Sequence, residues 1–411
     1  MNEMYDLAIV GAGASGLSAG ISAARCGDRV IIFEASASIG RKILASGNGR
    51  CNLMNSGELR YYGASSFAKA VLERCGYDEQ VLFWRSMGLM ISADPENRVY
   101  PCTFQSSSVL EALKRELKML NVEIRLSTPV QFCRPIQNGT FEIIGKEQRI
   151  FARRVIVATG GAACSKLGGN RSGYDLLKNL GHTVKDLKPA LVPLTANPKH
   201  ISGLAGLRVR CSASLKDQSG EMLHQEKGEI LFTDYGVSGI CAMQCARFVS
   251  GNNNYLELNF SDRLFPDLNE LEKELQWRKK HYCTLDPRYL LCGMIPEKLS
   301  FAVMKQAGIQ MRGETLQDYD DVIIPVIMKV FTHYRIDVTG DRGMENAQVT
   351  AGGVCCDAFS AEKMESLLVP GLQAAGEILD VDGDCGGFNL MFAFGSGILA
   401  GLYGRKQCIQ D

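Results

Sequence analysis

The chain has no surplus of either charge: Lys plus Arg and Asp plus Glu each number 45 among 411 residues. Nucleic-acid binders normally carry a basic excess for phosphate contacts, so this balance argues against a nucleic-acid partner and offers no pull toward an anionic membrane. Long hydrophobic runs are missing as well. The most apolar late stretch, residues 390–403, is shorter than a bilayer span and holds Gly395, Gly397 and Gly401. No basic leader or cleavage site precedes the first apolar run at residues 5–10, so a cytoplasmic protein with no membrane partner is expected. Histidine is scarce; the five never stand at ligand spacing with one another or with cysteine, and no metal is indicated. No Ser-His-Asp constellation stands out, and no catalytic residue is assigned. The 15 cysteines, from Cys26 to Cys408, include no C-x-x-C. The closest pairs, Cys241–Cys245 and Cys355–Cys356, leave a redox disulfide open, but reduced, buried, inert thiols are the default without a secretory signal.

What is present is more telling. Hydrophobic residues make up 46% and charged residues 22%, which suits a globular chain long enough for two or three domains. Residues 5–10 read as a buried parallel strand, followed by Gly11-Ala-Gly13-Ala14-Ser15-Gly16, an Ala-rich helix to Cys26, and a second strand over residues 29–34. In such a β–turn–α–β unit Gly11 permits the tight turn, Gly13 lets the backbone approach a pyrophosphate, and Gly16 lets helix and strand pack closely. The helix start then offers free N–H groups and partial positive charge, so Gly11, Gly13, Ala14, Ser15 and Gly16 are the expected phosphate contacts. Glu34 stands eighteen positions beyond Gly16, where this fold places an acid on the ribose hydroxyls. A carboxylate there repels a 2′-phosphate, so FAD or NAD is expected. The polar loop that follows, residues 40–52, has no use in a plain NAD dehydrogenase. Arg41, Lys42 and Arg50 can balance pyrophosphate charge, and Ser46, Gly47, Gly49, Cys51 and Asn52 crowd the same short loop; the alternative is a solvated basic loop.

A strand over residues 155–158 ends in Thr159-Gly160-Gly161 and closes a nucleotide-binding sheet. Residues 123–130 read as a strand whose end, Val130, could lie against adenine or simply be a core valine. Near the end of the chain a strand reaches Gly376-Glu377, a loop over residues 380–389 carries Gly387, Phe388 and Asn389, and a helix runs from Leu390. Such a helix start can stabilise negative charge on the pyrimidine side of a reduced flavin.

Taken in order, GAGASG, GRKILASGNGRCN, ATGG, PALVPL, GEILFTDYGVSG and AAGEILDVDGDCGGFNLMFAFGSG resemble the bacterial NAD(P)/FAD-dependent oxidoreductases of the aminoacetone-oxidase-like group, over nearly the whole chain. That resemblance implies an α/β fold: a glutathione-reductase-type Rossmann domain for FAD, interrupted by a β-barrel-like domain and a small helical domain. One branch is similar to flavoproteins of bile-acid 7-dehydroxylation, which reduce C=C bonds conjugated to a ketone. The chain departs from the family pattern at residues 168–174 and at Phe388, where the family's loop has a tyrosine.

Residues 191–261 and 332–345 alternate as strands between glycine-rich turns, whereas residues 262–331 show helical periodicity through Leu268, Leu271 and Leu275, with Arg278-Lys279-Lys280 on a solvated face. Residues 1–190 and 346–411 are thus expected to form the FAD domain around these inserts. Asp234 and Tyr235 could line a substrate pocket, with Tyr235 a proton donor, although a strand-end turn is the plainer reading. With only one dinucleotide fingerprint, NAD(P)H is expected to reduce the flavin and leave before an apolar small-molecule acceptor is reduced. An oxidase of an amine or amino-ketone, and a flavin-bearing redox sensor without turnover, stand as alternatives.

Overall fold

In the computed structural model, residues 4–136, 139–145, 149–249, 253–309, 311 and 313–405 are described. They divide into two compact units, Met1–Pro189 with Gln348–Asp411, and Ala190–Ala347.

The first unit is built on a parallel sheet drawn from both ends of the chain. Strand β1 (Met4–Val10) is flanked by β2 (Val30–Phe33), with β3 (Glu123–Arg125) outside it, and on its other side by the long strand Arg149–Val157. That long strand, β6, is shared. Its first half, Arg149 to Ala152, pairs antiparallel with β5 (Thr140–Gly145), which in turn pairs with β4 (Val130–Ile136). Its second half, Val155 to Val157, pairs in parallel with β7 (Leu372–Ala374). Residues of β1 and β2 are buried on both faces, as continuous apolar runs in a covered parallel sheet should be.

Helix α1 (Ala14–Arg25) lies over this sheet and packs on the last helix, α2 (Phe388–Leu402). The two meet backbone to backbone. A Cβ on Gly397 would fall 2.3 Å from the Ser15 carbonyl oxygen, and one on Gly401 2.3 Å from that of Ala19. The small residues spaced four apart on α2 thus make the approach possible, and Ser18 Oγ spans it with a 3.3 Å bond to the Phe394 carbonyl.

The sequence reading of residues 123–130 as one strand is corrected. Glu123–Arg125 edges the parallel sheet, the chain turns, and Val130 opens a strand of the antiparallel meander. Within the turn, Ser127 N donates to Ser36 O and Thr128 N to Glu34 O, both at 2.9 Å, so the segment runs beside the end of β2.

The second unit contains a closed six-strand barrel, in the order Leu194–Ala196, Gly236–Ser238, Met222–Phe232, Arg208–Asp217, Asn254–Asn259, Tyr334–Asp341. Alternation along Asn254–Asn259 and Tyr334–Asp341 puts Leu256, Leu258, Tyr334, Ile336 and Val338 inside. Asp234 and Tyr235 sit in the tight turn between two barrel strands, where Thr233 N bonds Gly236 O at 2.9 Å and the Arg342 guanidinium lies 4.4 Å from the Tyr235 ring centre. The same unit carries helices Leu268–His281, Glu297–Gln306 and Ile323–Thr332. Leu271 and Leu275 are buried, but Leu268 is exposed because it is the first helical residue after the Asp267 cap. Arg278 and Lys279 do not form a solvated face. They pair at 2.7 Å with Glu274 and Asp321, and each side chain is mostly covered. Among the described residues no helix is long and apolar enough to cross a membrane.

Candidate functional site

The carboxyl ends of β1, β6 and β7 and the starts of α1 and α2 converge in the first unit, and both ends of the sequence meet there. Gly11 takes φ +109°, and a Cβ on it would lie 2.4 Å from the Ala158 carbonyl oxygen, so the turn presses on the end of β6. Gly16 is tighter still: its Cβ would fall 1.9 Å from Gly11 O. Gly13 is different. It caps α1 with φ −87° and no side-chain bond, and a Cβ there would meet nothing within 4 Å. That open space lies before the exposed N–H groups of a 12-residue helix, where Ala14 and Ser15 form the first turn.

Glu34 closes this loop from the far side. Its Oε2 accepts from Ala12 N at 2.9 Å and its Oε1 from Ser36 N at 2.7 Å. The acid is therefore held beside the glycine turn by two backbone donors, Ala12 in the turn and Ser36 just past β2. Val130 is buried at the start of β4, past the 127–128 turn that follows the Glu34 segment.

Of the basic residues in the 40–52 loop, Arg41 bonds Ser36 Oγ at 3.3 Å and the Lys166 carbonyl, and Arg50 is exposed. Lys42 reaches across the chain: its Nζ lies 3.0 Å from Glu377 Oε2. The other oxygen of Glu377 accepts from Thr350 N at 2.9 Å. A Cβ on Gly161 would sit 2.4 Å from that oxygen, so Glu377 lies against the Thr159-Gly160-Gly161 turn. Gly376 N donates to Ser396 Oγ at 3.0 Å, which fixes the end of β7 to α2. Replacement of Glu377 by Ala is expected to destabilise the apoprotein by about 1–2 kcal/mol in urea unfolding, a value between exposed and buried pairs because both side chains are partly covered. Glu377→Gln, which keeps an acceptor for Thr350 N, should lose less.

The rest of the loop turns sharply. Gly47, Asn48, Gly49 and Cys51 all have positive φ, and Cys51 N bonds Ser46 O at 3.0 Å. Ser46 Oγ itself donates to Ile43 O at 2.7 Å. Cys51 is fully buried, and burial pushes its thiol up to about 12, so it is no nucleophile. Native protein treated with iodoacetamide should be labelled at the exposed Cys102 and Cys292 and not at Cys51, as peptide mass mapping would read. The described cysteines are all free thiols; Cys408 lies outside the described residues.

The loop then meets the start of α2. Gly387, the cap of that helix, would carry a Cβ 2.2 Å from Met54 O and 2.7 Å from Asn52 Oδ1. Asn55 Nδ2 donates to Gly386 O at 2.9 Å, and Tyr61 Oη to Phe388 O at 2.7 Å. The Phe388 ring is buried edge-on to Tyr61 at 5.8 Å, so it serves the core. Asn389 spends its amide on the preceding loop, accepting from Gly383 N and donating to Gly383 O at 2.8 Å. Its contribution to a ligand is left to the backbone N–H groups of Phe388, Asn389 and Leu390 in the first turn of the helix.

Sequence reasoning missed Thr350, Asn55, Tyr61 and Ser396, which brace the site. Asn55 could have been found, since it continues the same polar loop three residues past Asn52. Thr350 carried no such signal: its role comes from the fold bringing residue 350 against residues 163 and 377.

These features fit FAD. Two buried side-chain oxygens at the site, Asn52 Oδ1 and Thr159 Oγ1, have no hydrogen-bond partner among the described residues. A dinucleotide-sized polar ligand supplies such partners, and the space at Gly13 admits its phosphates.

Comparisons with known proteins agree. The family model described as HI0933-like protein Rossmann domain matches residues 5–403. The chain is 36% identical to the 3-dehydro-bile acid delta(4,6)-reductase of Clostridium scindens, across 97% of this chain and 98% of that one. It is 27% identical to the ribosomal RNA dihydrouridine synthase of Haemophilus influenzae, across 99% and 100%. The 3-ketosteroid delta1-dehydrogenase of Sterolibacterium denitrificans shares the fold, with a TM-score of 0.50 at 14% identity and coverage of 97% and 98%. The chain belongs to the HI0933-like family and is an FAD-dependent oxidoreductase with a Rossmann-type cofactor domain.

Proposed function

We propose that the protein is an NAD(P)H-linked reductase that saturates a C=C bond conjugated to a carbonyl in an apolar, steroid-like acid. The observation that carries this reading is the 36% identity, over both full lengths, to a reductase acting on a bile acid. Bound FAD supplies two-electron transfer between a reduced nicotinamide and an electron-poor double bond. The chain's own residues do the holding. Gly11, Gly13, Ala14, Ser15 and Gly16 present backbone donors to the pyrophosphate, with Glu34 on the ribose. Lys42 and Glu377, Asn52, Thr159, Gly160 and the 387–390 turn enclose the remainder, with Gly47, Gly49 and Arg50 on the open side. The free N–H groups at the start of α2 favour negative charge on the group beside them, and so favour the reduced state.

A dihydrouridine synthase also saturates a C=C bond next to a carbonyl, so the more distant relative supports the same bond chemistry on a different substrate. The balanced charge of this chain favours the small apolar molecule over RNA.

The test is anaerobic stopped-flow mixing with NADH and with NADPH, followed by a steroid acid unsaturated at positions 4 and 6 and bearing a 3-ketone. Bleaching of the flavin band by a nicotinamide and its return on adding the steroid are expected. Failure of both nicotinamides to bleach the flavin removes the reductase reading. Peroxide release from an amine or amino-ketone in air replaces it with the oxidase one.

A further inference from the structure

A third element touches both polar loops of the cofactor site, residues 40–52 and 380–389. The strand Arg98–Pro101 is the middle of a three-strand sheet, between Met54–Asn55 and Ile91–Ala93. Asn55, which bonds Gly386 O, stands opposite Arg98. Alternation along the strand buries Val99 and Pro101 and turns Arg98 and Tyr100 to the other face. There Tyr100 meets the first loop, for a Cβ on Gly47 would lie 3.8 Å from its ring. Arg50, whose N–H bonds Gly47 O at 3.1 Å, belongs to the same turn, and its guanidinium is near enough to act on the charge of the phenol.

The two arginines beside Tyr100 differ. Arg98 is spent on Asp94 at 2.8 Å and on Glu96 at 3.0 Å. Arg50 is exposed and in no ion pair among the described residues, and Tyr100 Oη makes no hydrogen bond among them. Burial raises the phenol above its ordinary range against the pull of both arginines, so Tyr100 keeps its proton at neutral pH. Phe104 adds an apolar wall. Its ring centre lies 5.6 Å from that of Tyr100, and it is 50% exposed. Its φ is +51°, costly for a bulky side chain, in a turn closed by a 2.8 Å bond from its N–H to Pro101 O. Backbone strain kept at an exposed ring beside a cofactor loop points to a contact outside the protein's own core.

We propose that Tyr100 is the catalytic acid of the reduction: with Arg50 it holds the carbonyl oxygen of the conjugated acceptor, whose apolar body lies on Phe104. When hydride adds to the β-carbon, the π pair moves onto that oxygen, where a guanidinium and a phenol stabilise the charge. Tyr100 Oη gives the oxygen its proton, which forms the enol. The phenolate left beside Arg50 regains a proton from water, and the enol relaxes to the ketone with that C=C bond saturated. The inference rests on the reductase reading and adds its proton donor.

The probes are two fully saturated steroid acids that differ only in carrying a ketone or a methylene at position 3. Titrated calorimetrically into the oxidised, FAD-loaded full chain, they report binding without turnover. Wild type should bind the ketone about fivefold more tightly, and Tyr100→Phe should bring the two within about twofold at unchanged flavin content. Phe104→Gly, which relieves the backbone, should melt no lower than wild type yet bind both acids about tenfold more weakly. In single-turnover stopped flow on samples matched for bound flavin, reoxidation of dithionite-reduced flavin by the 4,6-unsaturated 3-keto acid should slow about a hundredfold in Tyr100→Phe and about tenfold in Arg50→Met. A wild type without ketone preference, or a preference that Tyr100→Phe retains, overturns the proposal. So does a wild-type rate of reoxidation in that variant. If Tyr100→Phe abolishes the preference while neither nicotinamide bleaches the wild-type flavin, the carbonyl site stands and the reductase reading falls.

Discussion

Gly13→Leu should purify folded and colourless. The backbone there has φ −87°, open to any residue, and a Cβ meets nothing within 4 Å, so the apoprotein has no reason to lose stability. The leucine side chain would instead fill the space before the N–H groups of α1, where phosphates must lie closest. FAD affinity is expected to fall at least about a hundredfold, the order set by losing two or more charge-assisted bonds, with the apoprotein melting within about 2 °C of wild type. Gly16→Ala should do the reverse. Its Cβ would fall 1.9 Å from Gly11 O, and both partners are backbone that cannot rotate away. A cost of about 3 kcal/mol or more and loss of soluble protein are expected. The ratio of flavin to protein absorbance, with thermal melts of FAD-stripped samples, separates the two. A Gly13→Leu protein that stays stoichiometrically yellow would show that the glycine turn is not the phosphate cradle.

Gly387→Ala should damage the fold and the flavin together. The residue has φ +101°, costly for any side chain, and its Cβ would lie 2.2 Å from Met54 O. Relief requires separating the 52–54 segment from the start of α2, which is the junction that brings the two ends of the chain together. Strain and overlap together are expected to cost about 3 kcal/mol or more in urea unfolding, and retained flavin should fall in parallel. Gly49→Ala isolates the first contribution: it has φ +83° but nothing within 4 Å, so about 1 kcal/mol is expected. If Gly387→Ala costs no more than Gly49→Ala, the packing of that junction is looser than the geometry described above.

The parts legible in the sequence were those where chemistry dictates residue type locally. The β–turn–α–β unit around Gly11, Gly13, Gly16 and Glu34 was legible because a turn, a helix start and a strand end fall within one short stretch, where Gly11 and Gly16 answer packing constraints set by their neighbours. The barrel strands were legible through alternation, as at Leu256 and Leu258. Illegible features depend on remote partners. Residues 123–130 hold the β-favouring Ile124, Thr128 and Val130, yet the chain leaves one sheet and joins another at Ser127-Thr128-Pro129, where Ser127 and Thr128 pair with Ser36 and Glu34. Lys279 looks like part of a solvated run until Asp321, forty-two residues later, is placed beside it. The loop over residues 380–389 hides a strand, Val381–Gly383, because its partner, Tyr61–Gly63, lies more than three hundred residues earlier. Asn389 was legible as part of a helix start offering backbone N–H groups, whereas the use of its side-chain amide on Gly383 depends on how the preceding loop folds back.

The splitting of β6 between a neighbouring hairpin and β7 has a consequence for synthesis. The strand's upper edge, Val155 to Val157, stays unpaired until Leu372 to Ala374 have left the ribosome. At bacterial or eukaryotic elongation rates that delay is roughly 10 to 40 s, during which the chain of the second unit is completed and free to fold. The nascent first unit must hold a bare apolar edge through that interval, and cofactor capture is one of the last events in its maturation. Flavin can therefore be enclosed only after both ends of the chain have been made.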